Sequence, residues 1–323
     1  MPLLPPDNEL TIGFSHAAYQ LQAEFATRGH AARSFSANSL DELKARSGEA
    51  DVLVVSGLWR NELIAASPKL RFIQSVSAGT DQFDKPALAA AGIRLASAQG
   101  VNERAVAEHA MALVLALTRQ IHLARDNQTA KHWRPMIGDR ARREDELGGK
   151  TMVIVGLGRI GLRLAALASA FGIRVIGVRR QPEPQPHIEA IVRPDQLHEV
   201  MAQADIVALT CPLTAETEGL IGVQALAAMK PTAVLINVAR GKVVDEAALL
   251  AALSEGRLAG AGLDCFHDEP LPPSSPFWSL PQVVITPHSA GETRAYEGNV
   301  VDTLLDNLGR LARGETTLRN QVV

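Results

Sequence analysis

The chain has 323 residues, 46% hydrophobic and 21% charged, a composition that excludes a disordered or collagen-like protein. Lys and Arg number 32 against 35 Asp and Glu, so the net charge is −3 and no global basic field draws the chain to nucleic acid or an anionic membrane. Two cysteines, Cys211 and Cys265, are too few for the disulfide framework of a small secreted scaffold. The start MPLLPPDNEL lacks the pattern of a signal peptide, and no run approaches the ~18 apolar residues of a membrane span. A soluble, cytoplasmic protein without bound metal is expected. Its length, about twice a ~150-residue domain, predicts two units.

The first hundred residues alternate short apolar runs with helical patterns: LTIGF at 10–14, a helix over 18–28, DVLVV at 51–55 and RFIQSV at 71–76. That rhythm predicts a parallel sheet covered on both faces. From Val101 the pattern becomes one long helix over 102–123, with Asn102 as its N-cap. Val106, Ala110, Leu113 and Leu117 form its stripe, while Ala112, Leu115 and Ala116 extend apolar character to other faces. Burial nearly all round is expected of it. A second α/β unit begins at Thr151, with strands TMVIVG, RVIGV at 174–178, DIVAL at 205–209, AVLINV at 233–238, GAGLD at 260–264 and VVIT at 283–286. A last helix over 293–313 has no strand left to cross to, and is predicted to pack back on the first domain. The expected fold is α/β, two doubly wound parallel-sheet domains. Residues 1–101 with 288–323 form one, and 102–287 the other.

Gly156, Gly158 and Gly161 spell GxGxxG directly after TMVIV, at the start of a helix running to Ala170. The first glycine permits a tight turn, the second lets a pyrophosphate approach the backbone, and the third lets the helix pack closely. Amides at the helix N-terminus then face the phosphates. This is a dinucleotide-binding, Rossmann-type arrangement. Sites for NAD usually end the second strand in Asp or Glu, which binds the ribose hydroxyls. Here RVIGV ends in Arg179 and Arg180. Their planar donor forks suit a 2′-phosphate, so NADP(H) is preferred and NAD(H) is the second choice.

Three further segments, NVARGKVVDEAAL at 237–249, GAGLDCFHDEPLP at 260–272 and VVITPHSAG at 283–291, each begin in a strand and end in polar residues. Arg240, Glu269 and His288 therefore project near the carboxyl edge of one parallel sheet, where α/β sites form. Taken singly, the histidine reads as structural, the glutamate as a turn residue and the arginine as a surface charge.

Their order changes that reading. With the glycine fingerprint, SVSAGTDQFD at 75–84, NERAVAEHAMALVLAL after Val101, the stretch ending in His132, Trp133 and Arg134, and CPLTAETEGLI at 211–221, the chain closely resembles the D-isomer-specific 2-hydroxyacid dehydrogenases, glyoxylate/hydroxypyruvate reductases among them. The resemblance covers nearly the whole chain. It implies a flavodoxin-like substrate domain beside the Rossmann cofactor domain, and reduction of a small 2-oxo acid to its D-2-hydroxy acid.

By that resemblance Arg240, Glu269 and His288 are the catalytic residues. The imidazole protonates the carbonyl oxygen, the glutamate orients it and favours its charged form, and the arginine binds the substrate carboxylate. Ala78 and Gly79 are the carboxylate-binding loop, with Arg240 and His288 also on the substrate. Cofactor contacts are expected from Gly156, Gly158, Arg159, Ile160, Gly161, Arg179, Arg180, Cys211, Pro212, Thr217, Val238, Ala239, Arg240, Asp264, His288 and Gly291. Cys211 and Cys265 read as packing residues, because hydride transfer needs no thiolate. Leu58, Trp59 and Arg60 lie where a substrate-side loop lies, so Trp59 and Arg60 are candidates to shape an acyl pocket. A homodimer is expected, with His132 and Trp133 reaching a neighbouring subunit. The expected partner is a small 2-oxo or 2-hydroxy acid, not nucleic acid or membrane. A phosphoglycerate- or phosphonate-type dehydrogenase and a nucleotide-sensing corepressor or scaffold are the alternatives.

Overall fold

A computed structural model describes residues 3–323, which fold as two compact units: the chain up to Asn102 with Thr293–Val323, and Glu103–Glu292. The first contains β1 (Thr11–Ser15), α1 (Leu21–Ala26), β2 (Arg33–Ala37), α2 (Leu40–Arg46), β3 (Val52–Val55), α3 (Leu63–Ala66), β4 (Phe72–Ser75), α4 (Lys85–Ala90) and β5 (Arg94–Ala96). Its sheet runs β2-β1-β3-β4-β5, every neighbouring pair parallel. All four residues of β3 (VLVV) and of β4 (FIQS) are buried, as two-sided helix cover requires.

The second unit holds α5 (Glu103–Thr118), α6 (Ile121–Thr129), β6 (Thr151–Val155), α7 (Arg159–Ala170), β7 (Arg174–Val178), β8 (Ala190–Val192), α8 (Leu197–Met201), β9 (Ile206–Leu209), α9 (Val223–Ala228), β10 (Val234–Asn237), α10 (Glu246–Ser254), β11 (Gly260–Leu263) and β12 (Val283–Ile285). Its seven strands run β12-β11-β10-β9-β6-β7-β8, again all parallel. Strand order reverses between β6 and β9, the crevice where doubly wound sheets bind ligands. Among the described residues no helix is long and apolar enough to cross a membrane.

The last helix, α11 (Tyr296–Ala312), belongs to the first unit. Its buried Val300, Val301, Leu304, Leu308 and Leu311 recur at helical spacing and join Leu21 and Phe25 of α1 in one core. Buried Asn307 donates to Gln74 Oε1 at 3.0 Å and to Arg319 O at 3.2 Å, tying the helix to β4 and to the chain end.

Three expectations change. The helix over 102–123 is two helices: the apolar stripe stops at Leu117, Thr118 Oγ1 donates to Val114 O at 2.8 Å, and Gln120 turns left-handed at φ 50°. Nor is α5 buried all round, because Ala112 is exposed and Leu115 and Ala116 are half-buried. The second boundary follows Glu292 rather than Pro287, since the amides of Ser289 and Ala290 donate to Asp264 and hold that segment on the second sheet.

Candidate active site

Because every strand of the second sheet is parallel, the loops after β6, β7, β9, β10, β11 and β12 all leave at one edge. Gly156 directly follows β6 with φ 100°, and a Cβ there would stand 2.6 Å from Cys211 Cα. Gly161 is buried in α7, where a Cβ would stand 2.2 Å from Gly156 O. These two glycines make the turn by letting backbone meet backbone. Gly158 differs: it is exposed, and a Cβ there meets nothing within 4 Å. The middle glycine therefore leaves open space in front of the α7 N-terminus, as an approaching pyrophosphate requires. Arg159 and Ile160 follow as the first residues of α7.

A cleft of about 610 Å³ opens beside this turn, and Gly156, Gly158, Arg179, Arg180, Cys211, Pro212 and Thr217 line it. The Thr217 hydroxyl donates to Pro212 O at 2.7 Å, so it braces the loop. Glu216, Thr214 and Leu220 also line the cleft and escaped the sequence reading. The Thr214 hydroxyl holds the Glu216 carboxyl below the usual carboxylate range. Burial pushes the Cys211 thiol up to about 11 and raises that of Cys265 still further, so both are packing thiols.

Beyond β10, the buried Asn237 accepts from the Ala239 amide at 3.0 Å and donates to Arg240 O at 3.1 Å, shaping the turn that carries Val238, Ala239 and Arg240. Arg240 Nη1 donates to Ala239 O at 2.7 Å, and the guanidinium forms no ion pair among the described residues. A Cβ on Gly241 would fall 2.0 Å from the Phe266 carbonyl carbon, so the loops after β10 and β11 are in contact.

Glu269 and His288 meet directly. Oε1 of Glu269 accepts the Phe266 amide at 2.9 Å and Oε2 lies 2.8 Å from His288 Nδ1. A carboxylate only accepts, so Nδ1 carries the proton and Nε2 is left to serve a substrate. The two side chains are 38% and 44% exposed, open to a ligand. His288 itself sits at φ 54°. Asp264, 2% exposed, holds that backbone: its carboxylate accepts from Thr286 Oγ1 at 2.6 Å, Ser289 N at 2.9 Å and Ala290 N at 3.1 Å. Gly291 follows, half-buried.

In the first unit, the Ser56 and Ser75 hydroxyls pair at 2.8 Å and both accept the Ser77 amide. Ala78, next along, is exposed and Gly79 half-buried. Trp59 is 1% exposed, its ring tilted against that of Phe83 and its Nε1 bonded to Asn61, so its side chain is part of the core. Arg60 turns back onto Gly57 O and Trp59 O, with Leu58 packed against the same core. His132 is exposed, and Trp133 is 96% exposed.

A glycine turn, an adjoining cleft and a histidine–carboxylate pair along one parallel-sheet edge define a dinucleotide-dependent oxidoreductase. Residues 111–290 match the family model described as D-isomer specific 2-hydroxyacid dehydrogenase, NAD binding domain. The chain is 37% identical over 284 residues, 87% of each chain, to the glyoxylate/hydroxypyruvate reductase B of Yersinia enterocolitica. It is 36% identical over 262 residues, 79% of this chain and 76% of the relative, to the glyoxylate reductase of Korarchaeum cryptofilum. A D-isomer specific 2-hydroxyacid dehydrogenase of Xanthobacter autotrophicus Py2, solved with NADPH and MES, superposes with a TM-score of 0.82 at 26% identity, over 98% of both chains. This chain belongs to the D-isomer specific 2-hydroxyacid dehydrogenase family. It is an oxidoreductase that uses a nicotinamide cofactor.

Proposed function

We propose that the chain reduces glyoxylate, hydroxypyruvate or a closely related small 2-oxo acid to the D-2-hydroxy acid, with NADPH preferred over NADH. The observation that carries the reading is the Glu269–His288 pair, whose geometry leaves an imidazole nitrogen free to deliver a proton. A reduced nicotinamide, when held in the cleft, would supply the hydride that C2 requires. His288 Nε2 gives the proton to the carbonyl oxygen, while Glu269 holds the ring in place and Arg240 binds the carboxylate and polarises the carbonyl. In the first unit, the backbone of Ala78 and Gly79 takes the carboxylate-binding role that the resemblance gives that loop.

Gly156, Gly158, Arg159, Ile160 and Gly161 would hold the pyrophosphate. Cys211, Pro212, Thr217, Val238, Ala239, Asp264 and Gly291 would complete the cofactor bed. The preference for NADPH rests on Arg179 and Arg180, two guanidinium groups where an NAD site carries a carboxylate; both line the cleft. A homodimer is part of the proposal, supported by an apolar surface that one chain leaves bare. Trp133 and Met136 are each 96% exposed, and α6 has no buried side chain. A reducing, cytoplasmic setting suits the two free thiols.

The test is a panel of 2-oxo acids run with both cofactors, beside His288→Ala. Oxidation of NADPH with glyoxylate or hydroxypyruvate, lost in the variant, is the expected result. Absence of turnover on the whole panel would sink the proposal.

A further inference from the structure

His109 lies on α5, outside the loops that carry the reacting groups, yet its ring faces the segment that holds His288. Its Nε2 is 3.0 Å from Thr286 Oγ1 and 3.7 Å from Asp264 Oδ1. A hydroxyl has one proton to give, and that of Thr286 goes to Asp264 Oδ1 at 2.6 Å. Thr286 is therefore an acceptor toward His109, and Nε2 of His109 must be the donor. The His109 side chain is 23% exposed. The Nε2–H is consequently present whether the imidazole is neutral or charged.

The chain of bonds continues toward the reaction. Asp264, buried and acceptor-only, takes the amides of Ser289 and Ala290. Those amides follow His288, whose own backbone is left-handed at φ 54° and whose amide closes a tight turn onto Thr286 O at 3.0 Å. A non-glycine residue stays in that conformation only where the surroundings impose it. His109 is the outermost donor in the set that imposes it, and its Nε2 also lies within 4 Å of the buried Asp264 carboxylate.

We propose that His109 is a positioning residue for the proton donor: through Thr286 and Asp264 it fixes the backbone on which His288 stands. The inference rests on His288 being the proton donor. What His109 supplies is an N–H at a set point, so a neutral donor there preserves function and an apolar group of similar size does not.

The experiment compares His109→Gln, whose amide nitrogen replaces Nε2–H, with His109→Leu, in the full-length enzyme with NADPH and its best 2-oxo acid. His109→Leu is expected to lower kcat about tenfold or more, the scale on which misplacing a reacting group acts, and His109→Gln to stay within about threefold of the parent. Affinity for NADPH, read by fluorescence titration without substrate, is expected to change less than about threefold in both. Equal kcat in the two variants overturns the proposal, whether both are active or both are impaired. So does a loss in His109→Leu matched by an equal loss of NADPH affinity. If His288→Ala retains activity, the reading beneath falls and the proposal with it; full dependence on His288 with an unimpaired His109→Leu removes the proposal alone.

Discussion

Glu269 bridges two N–H donors, the ring of His288 at 2.8 Å and the backbone amide of Phe266 at 2.9 Å, using one carboxylate oxygen for each. The glutamate thus anchors the imidazole to the loop after β11. Glutamine offers one acceptor and one amino group where the site needs two acceptors. Glu269→Gln is expected to lower kcat about ten- to a hundredfold, and His288→Ala about a hundredfold or more, as removal of a general acid does. Steady-state NADPH oxidation measures both; a Glu269→Gln enzyme with unchanged kcat would contradict the anchoring role.

The glycines of the fingerprint separate by what surrounds them. Gly158→Ala adds a methyl to open space at φ −81°, so the protein should melt within about 2 °C of the parent, while NADPH binds about tenfold or more weakly. Gly161→Ala drives a Cβ toward backbone 2.2 Å away and should cost about 1–3 kcal/mol in stability. Thermal melts beside cofactor titration distinguish the two, and equal melting points would contradict the assignment.

Arg179 and Arg180 should matter for one cofactor and not the other. Replacing both with Ala is expected to raise the KM for NADPH about tenfold or more and to leave that for NADH within about twofold, since each guanidinium–phosphate bond is charge-assisted. Parallel changes with both cofactors would assign the arginines to general surface charge.

Asp205 gives a pH signature in stability. Its partial burial opposes ionisation, but Lys230 Nζ at 2.9 Å and the Thr151 amide at 2.9 Å together hold the carboxyl below its usual range. A carboxyl depressed in the folded state stabilises above its unfolded pKa of ~3.9 and loses that contribution as pH falls through the folded value. Asp205→Asn should therefore melt a few degrees lower than the parent at neutral pH, about the effect of 1 kcal/mol, with the gap closing below about pH 4. A gap that widens in acid would reverse the sign.

Neither thiol should report on catalysis. With Cys211 pushed up to about 11 and buried, iodoacetamide at neutral pH should leave both cysteines unmodified by mass spectrometry and activity intact. Rapid inactivation would show a reactive thiol at the cleft.

Much of this protein was legible along the chain. Strands buried on both faces, such as VLVV and TMVIV, are continuous apolar runs and announce themselves, whereas the edge strands β2, β5 and β8 do not, because edge strands can be as short as the three residues of β5 and β8 or carry polar and exposed residues such as those of RSFSA. The helix over 102–123 misled because apolar periodicity carries no mark of a left-handed residue at Gln120. That the Trp59 side chain is buried against Phe83 is likewise invisible along the chain, where it is one residue of a loop after a strand. Asn237, Thr286 and His109 gave no motif of their own, since each acts through hydrogen bonds to residues distant in the chain.

The amino-acid order alone determined the glycine turn and the arginine pair after β7, because these depend on residue type at short spacing beside a strand, and it singled out Arg240, Glu269 and His288 only through the family resemblance that their order along the chain carries. Only the tertiary structure decided that Glu269 and His288 share a hydrogen bond, that Asp264 accepts the amides of the His288 loop, and that His109 bonds to Thr286 behind it. Those facts depend on the parallel register of β11 and β12 and on where α5 lies against them, and register follows from packing over the whole sheet rather than from any local run of residues.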